Sequence, residues 1–113
     1  MGIYILASYI SSGSLRSPGS LQTLAREVMN RVREECPDVR WLYNFAVCGP
    51  YDYVDVLEAP TLESAMKVSI LTRTYGHART DLWPALAWTD FKKVLASLPR
   101  VERPPMAEDI EGD

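Results

Sequence analysis

The side chains able to do chemistry in this sequence concentrate between residues 51 and 83. "VCGPYDYVDVLEAP", residues 47–60, carries Tyr51, Asp52, Tyr53 and Asp55, and "YGHARTDLW", residues 75–83, carries His77, Arg79 and Asp81. Asp55 stands out because it interrupts an otherwise apolar, strand-like run. A carboxylate there has to be paired, hydrated or protonated, since an isolated buried charge is expensive. Burial also raises its pKa towards the range of a general base. Strict alternation puts Tyr53, Asp55 and Leu57 on one face of the strand and Val54 and Val56 on the other. The all-valine side is the one expected to meet helices, which turns Asp55 to the opposite side of the sheet. The competing reading is an internal ion pair with Arg79 or Arg40.

His77 is the only histidine and the only side chain whose unperturbed pKa lies near neutrality; a plain surface role is its alternative. His77, Arg79, Asp81 and Trp83 share a parity. Facing inward with Tyr53 and Asp55, they would supply a base, a cation and aromatic walls. Such a cavity suits proton abstraction or isomerisation on a planar or anionic small molecule. If Ala78, Thr80 and Leu82 face inward instead, the arrangement is lost. On this reading Asp55 and His77 are the candidate catalytic residues, and Tyr51, Tyr53 and Arg79 the candidate substrate-binding residues. Asp52 follows a Gly49-Pro50 turn and is expected to accept turn N–H groups and hold a hairpin.

Other chemistries lack their residues. No nucleophile elbow, phosphate-binding glycine loop or metal-ligand cluster is present in the sequence, and no metal or cofactor is expected. Cys36 and Cys48 have neither a ligand spacing nor a disulfide framework, and both are expected as small apolar fillers.

The elements that must position these residues follow from periodicity. Residues 2–10 read as a buried strand, and "SSGSLRSPGS" (11–20) as a loop. From Ser20 as N-cap, a helix places Leu21, Leu24, Val28 and Val32 on one face and stops at Pro37. "VRWLYNFAVC" alternates, with Val39, Trp41, Tyr43, Phe45 and Val47 on one side. It pairs antiparallel with "YVDVLE" across the turn. Thr61 caps a second helix with Glu63 in its first turn, an inner stripe of Leu62, Ala65, Met66, Ser69 and Ile70, and a stop at Gly76. "HARTDLWPALAW" reads as a last strand, at an edge or bent because Pro84 cannot donate to a ladder. A short helix capped at Thr89 or Asp90 runs to Leu98.

The order strand, helix, strand, strand, helix, strand predicts an α+β, ferredoxin-like βαββαβ fold. Right-handed crossovers put the first and third strands at the centre of an antiparallel sheet, with both helices on one face. The other face needs cover, which predicts a homodimer paired sheet to sheet as a dimeric α+β barrel. Residues 1–98 form this domain, and 99–113 an acidic, Pro-containing, disordered tail. The first helix starts, the 49–52 turn sits and the last strand begins at one end of the sheet. A helix N-terminus there suits an anion, and a barrel mouth is a common ligand site.

Composition bounds the remaining choices. The chain has 113 residues, 47% hydrophobic and 24% charged, with a formal net charge of -3, as a single globular domain would. Residues 101–113 hold five acids and one base. The near-neutral remainder has no basic stripe, so nucleic acid is not an expected partner. The apolar start is too short to span a bilayer and lacks a signal-peptide pattern, so the expected location is cytoplasmic with no membrane partner.

The two marked stretches also resemble a known family. "GPYDYVDVLEAP" is similar to the G-x-Y-D…E-A-P signature of GYD-domain proteins, and Gly76, Arg79 and Thr80 in "YGHARTDLWPAL" resemble that family's second marker. The similarity runs over residues 2–95. It implies a ferredoxin-like protomer in a barrel-forming dimer. Architectural relatives include cofactor-free monooxygenases, muconolactone-type isomerases, haem enzymes and ligand-sensing domains, among which fold analogy does not choose. Where Val47, Asp55 and His77 stand, the family more often has a hydroxyl residue, an aliphatic residue and Asn. The expected function is binding of a small organic ligand, extending to a cofactor-independent isomerase, cyclase or oxygenase. The alternative is a non-catalytic regulatory or assembly module with a packed interior.

Overall fold

The computed structural model describes residues 1–10 and 18–99. Seven elements follow in order: β1 (Gly2–Ile10), α1 (Pro18–Glu35), β2 (Arg40–Ala46), β3 (Tyr53–Ala59), α2 (Leu62–Gly76), β4 (Ala78–Ala85) and α3 (Trp88–Ser97). The strands form one antiparallel sheet in the order β2-β3-β1-β4. This is the expected α+β, ferredoxin-like arrangement, with β1 and β3 central. β4 lies at an edge, where Pro84 removes no needed ladder donor. The expectations for most of the loop at 11–20 and for the tail beyond residue 99 fall outside the described residues.

α1 begins at Pro18 rather than after Ser20. Proline fits a first helical turn because its missing N–H would have no partner there. Thr61 caps α2 as expected, its side chain accepting from the Ser64 N–H at 3.1 Å. The end of α2 lies one residue beyond the expected stop. His77 is the left-handed cap, at φ 50° and ψ 39°, while Gly76 is still helical and buried. A Cβ on Gly76 would lie 3.4 Å from the Val28 side chain, so the glycine lets α2 approach α1 closely.

The core lies between the helices and one face of the sheet. Leu6 and Leu57 from the central strands, Val32 and Cys36 from the α1 end and Val68 from α2 are fully buried. The inner stripe of α2 is rotated from the expected one. Ala65, Val68, Ser69 and Gly76 are buried, whereas Leu62, Met66 and Ile70 are exposed. The hydroxyls of Ser69 and Thr80 bond at 2.7 Å, which pins this face of α2 to β4. In β2 the pairing shifts between Trp41 and Tyr43, leaving Leu42 as the extra residue of a bulge. Trp41 therefore packs against the core while Tyr43 and Phe45 are exposed, separating residues that simple alternation puts together. α3 has no buried residue. Its N-cap is Ala87, without a side-chain bond, rather than Thr89 or Asp90.

Candidate functional site

The sheet faces decide where the chemistry lies. Thr80 bonds α2, and Leu57 and Leu6 are core residues. Residues 6, 8, 53, 55, 57, 80 and 82 therefore face the helices, as the cross-strand registers Leu6↔Asp55, Leu6↔Leu82 and Ser8↔Tyr53 require. Asp55 is on the helix side, opposite to the expectation drawn from the valine pair. Val54 and Val56 occupy the open side, where they are only half-buried. Two flanking valines do not identify a core face when the core is completed by Leu57, Ala59 and the helices.

Asp55 is 8% exposed. Its Oδ1 accepts a hydrogen bond from Asn44 Nδ2 at 2.8 Å, directly across the strand pair. Burial raises its pKa, and the Asn44 bond opposes that effect without cancelling it. Asn44 is the partner where an arginine was the competing expectation; Arg40 pairs instead with Glu58.

Beside this pair, α1 and the sheet border a half-open chamber of about 270 Å3. Leu24, Ala25 and Val28 of α1 form its roof, and Trp41, Tyr53 and Asp55 are among its floor and wall residues. The α1 periodicity that puts Leu24, Val28 and Val32 on one face builds the roof. The Tyr53 hydroxyl has a raised pKa, through burial first and the Asp52 and Asp55 charges second. Trp41 Nε1 is buried without a hydrogen-bond partner among the described residues.

The other nominated residues lie elsewhere. Arg79 stacks over the Tyr9 ring, 5.5 Å from its centroid, on the open side of the sheet. Tyr51 donates a hydrogen bond to Asp81 there and meets Trp83 edge to face. The Asp81 bond holds the Tyr51 hydroxyl above its ordinary pKa. His77 is exposed at the end of α2. The five candidates therefore do not share one cavity: Tyr53 and Asp55 face the chamber, Tyr51 and Arg79 the open side, and His77 neither. Asp52 helps to close the hairpin through its backbone, its carbonyl accepting from the Val47 N–H at 2.9 Å, but its side chain ties the turn to β1 rather than to turn N–H groups. Its Oδ2 accepts from the Ile10 N–H at 2.8 Å and its own N–H donates to the Ser8 carbonyl, tying the turn to the end of β1. Cys36 is buried, but Cys48 is exposed rather than a filler. No group of metal-ligating side chains that could hold an ion occurs among the described residues, and no described helix is long and apolar enough to cross a membrane.

A family model described as the GYD domain matches residues 4–95, spanning the sheet, both packed helices and the chamber. The chain belongs to the GYD-domain family. A search of curated proteins finds no match. Within this GYD domain the signature residues Gly49 to Asp52 are the hairpin connection, not the chamber, so the motif that identifies the family is chiefly a fold determinant here. Asn44 and Trp41, which sequence reasoning missed as site residues, belong to the same strand. The available signal for Asn44 was an amide inside an otherwise apolar strand. Nothing marked Trp41, because its facing depends on the bulge.

Proposed function

We propose that this GYD-domain protein binds a small, mainly apolar organic molecule in the chamber between α1 and the sheet, with Asp55 as its polar anchor. The supporting observation is a buried carboxyl, held only by Asn44 among the described residues, on the wall of a 270 Å3 apolar chamber. A carboxyl in that setting has a raised pKa from burial and is suited to proton transfer. The reaction class this supports is cofactor-independent proton transfer of isomerase or cyclase type. Arg79 and His77 are no longer part of the site in this reading, and anion binding goes with them.

The protein acts as a homodimer in this proposal, its sheets paired on their open faces. The support is the apolar set Tyr9, Tyr43, Phe45 and Trp83, all exposed in a single chain. Tyr43 retains 60% of its accessible surface, far more than a strand residue facing a covering layer.

Calorimetric titration with indane, a compact two-ring hydrocarbon, tests the binding reading. The expected result is saturable binding at one site per chain that Ala25→Leu removes by filling the chamber. Absence of saturable binding would overturn the proposal.

A further inference from the structure

The last helix of the fold lies on no surface of its own chain. We infer that α3 is an arm that packs on a second copy of this chain and extends the sheet-to-sheet contact past the end of β4. This rests on the homodimer reading and adds which part of each chain reaches the other.

The sequence of α3 is that of a helix with one covered side. Trp88, Phe91, Leu95 and Leu98 recur at spacings of three, four and three, with Val94 beside them. Helical geometry gathers these five on one stripe and puts Thr89, Asp90, Lys92 and Lys93 on the opposite side. Such a seam is what a helix presents to the element it packs against. Yet every residue from Leu86 to Pro99 is exposed in the single chain, and the five apolar side chains keep 38–64% of their accessible surface.

Local interactions do not hold such a helix. Its ten residues fall short of the roughly 12–15 at which an isolated helix becomes even marginal in water. Ala87 caps it without a side-chain bond, and the Lys93–Asp90 pair is exposed at 3.9 Å, where an ion pair contributes little. Packing on another surface is the remaining source of stability.

Charge argues against a lipid surface as that cover. The chain following α3 carries five acids and one base in residues 101–113, which an anionic membrane repels. Position and area favour a second copy. Tyr43 and Phe45 pair with Val56 and Val54, and Trp83 pairs with Ile5, so all three face away from the helices. Trp83 is two residues from the end of β4, and Leu86 and Trp88 continue its exposed apolar surface into α3.

The sheet face by itself is small for a stable dimer. At roughly 150–250 Å2 per aromatic side chain, the exposed parts of Tyr9, Tyr43, Phe45 and Trp83 amount to about 400 Å2. The ground between them is already largely covered, Ala7 being fully buried and Ile5, Val54 and Val56 half-buried. A standard interface takes about 800 Å2 from each partner. The α3 stripe exposes about as much apolar surface again and closes that gap.

Sedimentation equilibrium of the full chain tests this with Leu95→Lys, a change at an exposed position on which the fold of one chain does not depend. The expected result is a dimer Kd raised at least about tenfold, the cost of losing an apolar anchor. Lys93→Ala, on the opposite side of α3, should leave Kd unchanged. Phe91→benzoylphenylalanine should, on illumination, cross-link two chains into a product of twice the chain mass. A dimer whose Kd Leu95→Lys leaves unchanged would overturn the inference while the sheet-to-sheet dimer stands. Cross-links confined to one chain would overturn it in the same way, by placing α3 on its own domain. Binding to phosphatidylcholine–phosphatidylserine vesicles that Leu95→Lys abolishes would overturn it in favour of lipid. A wild-type monomer at micromolar concentration would instead overturn the homodimer reading, and this inference with it.

Discussion

Ala25→Leu separates a chamber kept open from one that is simply badly packed. Ala25 is a half-buried α1 residue on the chamber wall, and leucine is almost as good a helix former as alanine. The change adds three carbons to a space of 270 Å3. At about 0.8 kcal/mol per buried methylene, their burial contributes at most about 2.4 kcal/mol. Ordering the leucine side chain costs roughly 0.5–1 kcal/mol, leaving a net stabilisation of about 1.5 kcal/mol. For a domain of this size that corresponds to a rise in Tm of roughly 6–12 °C. Indane binding should be lost in the same variant, since the added carbons occupy its place. Differential scanning calorimetry and titration on the same sample measure both quantities. A fall in Tm of several degrees would show that Ala25 already faces packed atoms, and the chamber argument would be refuted. A higher Tm with indane affinity unchanged would place the ligand elsewhere. Stability gained as binding is lost is the pattern of a site maintained at the expense of packing.

Asp55→Asn should alter stability in a pH-dependent way. Burial raises the Asp55 pKa in the folded state, so the native protein holds this proton more tightly than the unfolded chain does. Asp55's contribution is therefore fully present below the ordinary carboxyl pKa and is lost as pH rises through the raised value. Asparagine does not titrate, so the variant should match the wild type in acid and exceed it at neutral pH, by about 1.4 kcal/mol for each tenfold tightening of the proton. A variant less stable than wild type at neutral pH in denaturant titrations would contradict the burial argument. His77→Gly should leave Tm unchanged or slightly raised, because the left-handed conformation costs an L-residue about 1–2 kcal/mol and glycine's flexibility offsets roughly half of that. His77→Val should be less stable than both the wild type and His77→Gly, because a β-branched residue tolerates the left-handed region less well than histidine, and equal Tm values for the two variants would refute the strain at His77. Tyr43→Lys, placing a charge on the exposed sheet face, should convert the proposed dimer to monomer in native mass spectrometry; a wild-type monomer at micromolar concentration would refute the dimer directly.

Most of the fold was legible along the chain. The period-2 runs of β2 and β3, the helical spacing of Leu24, Val28 and Val32, the Thr61 cap and the edge position implied by Pro84 all depend on local geometry. So does the family signature, since a Gly-Pro-Tyr-Asp connection is recognisable wherever it leads. The suspicion attached to Asp55 came from the same source: a carboxylate inside an apolar strand has few inexpensive environments. Alternation also determined correctly that Tyr53, Asp55 and Leu57 share a side and that Arg79, Asp81 and Trp83 share a side, but not that these two sides are opposite faces of the sheet.

Which side the helices would cover was decided only by the tertiary structure. Alternation defines two faces without labelling them, and the label depends on the summed burial of four strands and two helices. The valines at 54 and 56 suggested one assignment, while Leu6, Leu57 and the Ser69–Thr80 bond imposed the other. The same lack of long-range information hid the bulge at Leu42, and with it the turn of Trp41 towards the core. Sequence thus determined that Asp55 would be unusual. Only packing determined that it faces α1 and Asn44, rather than the arginine and histidine that share its end of the sheet.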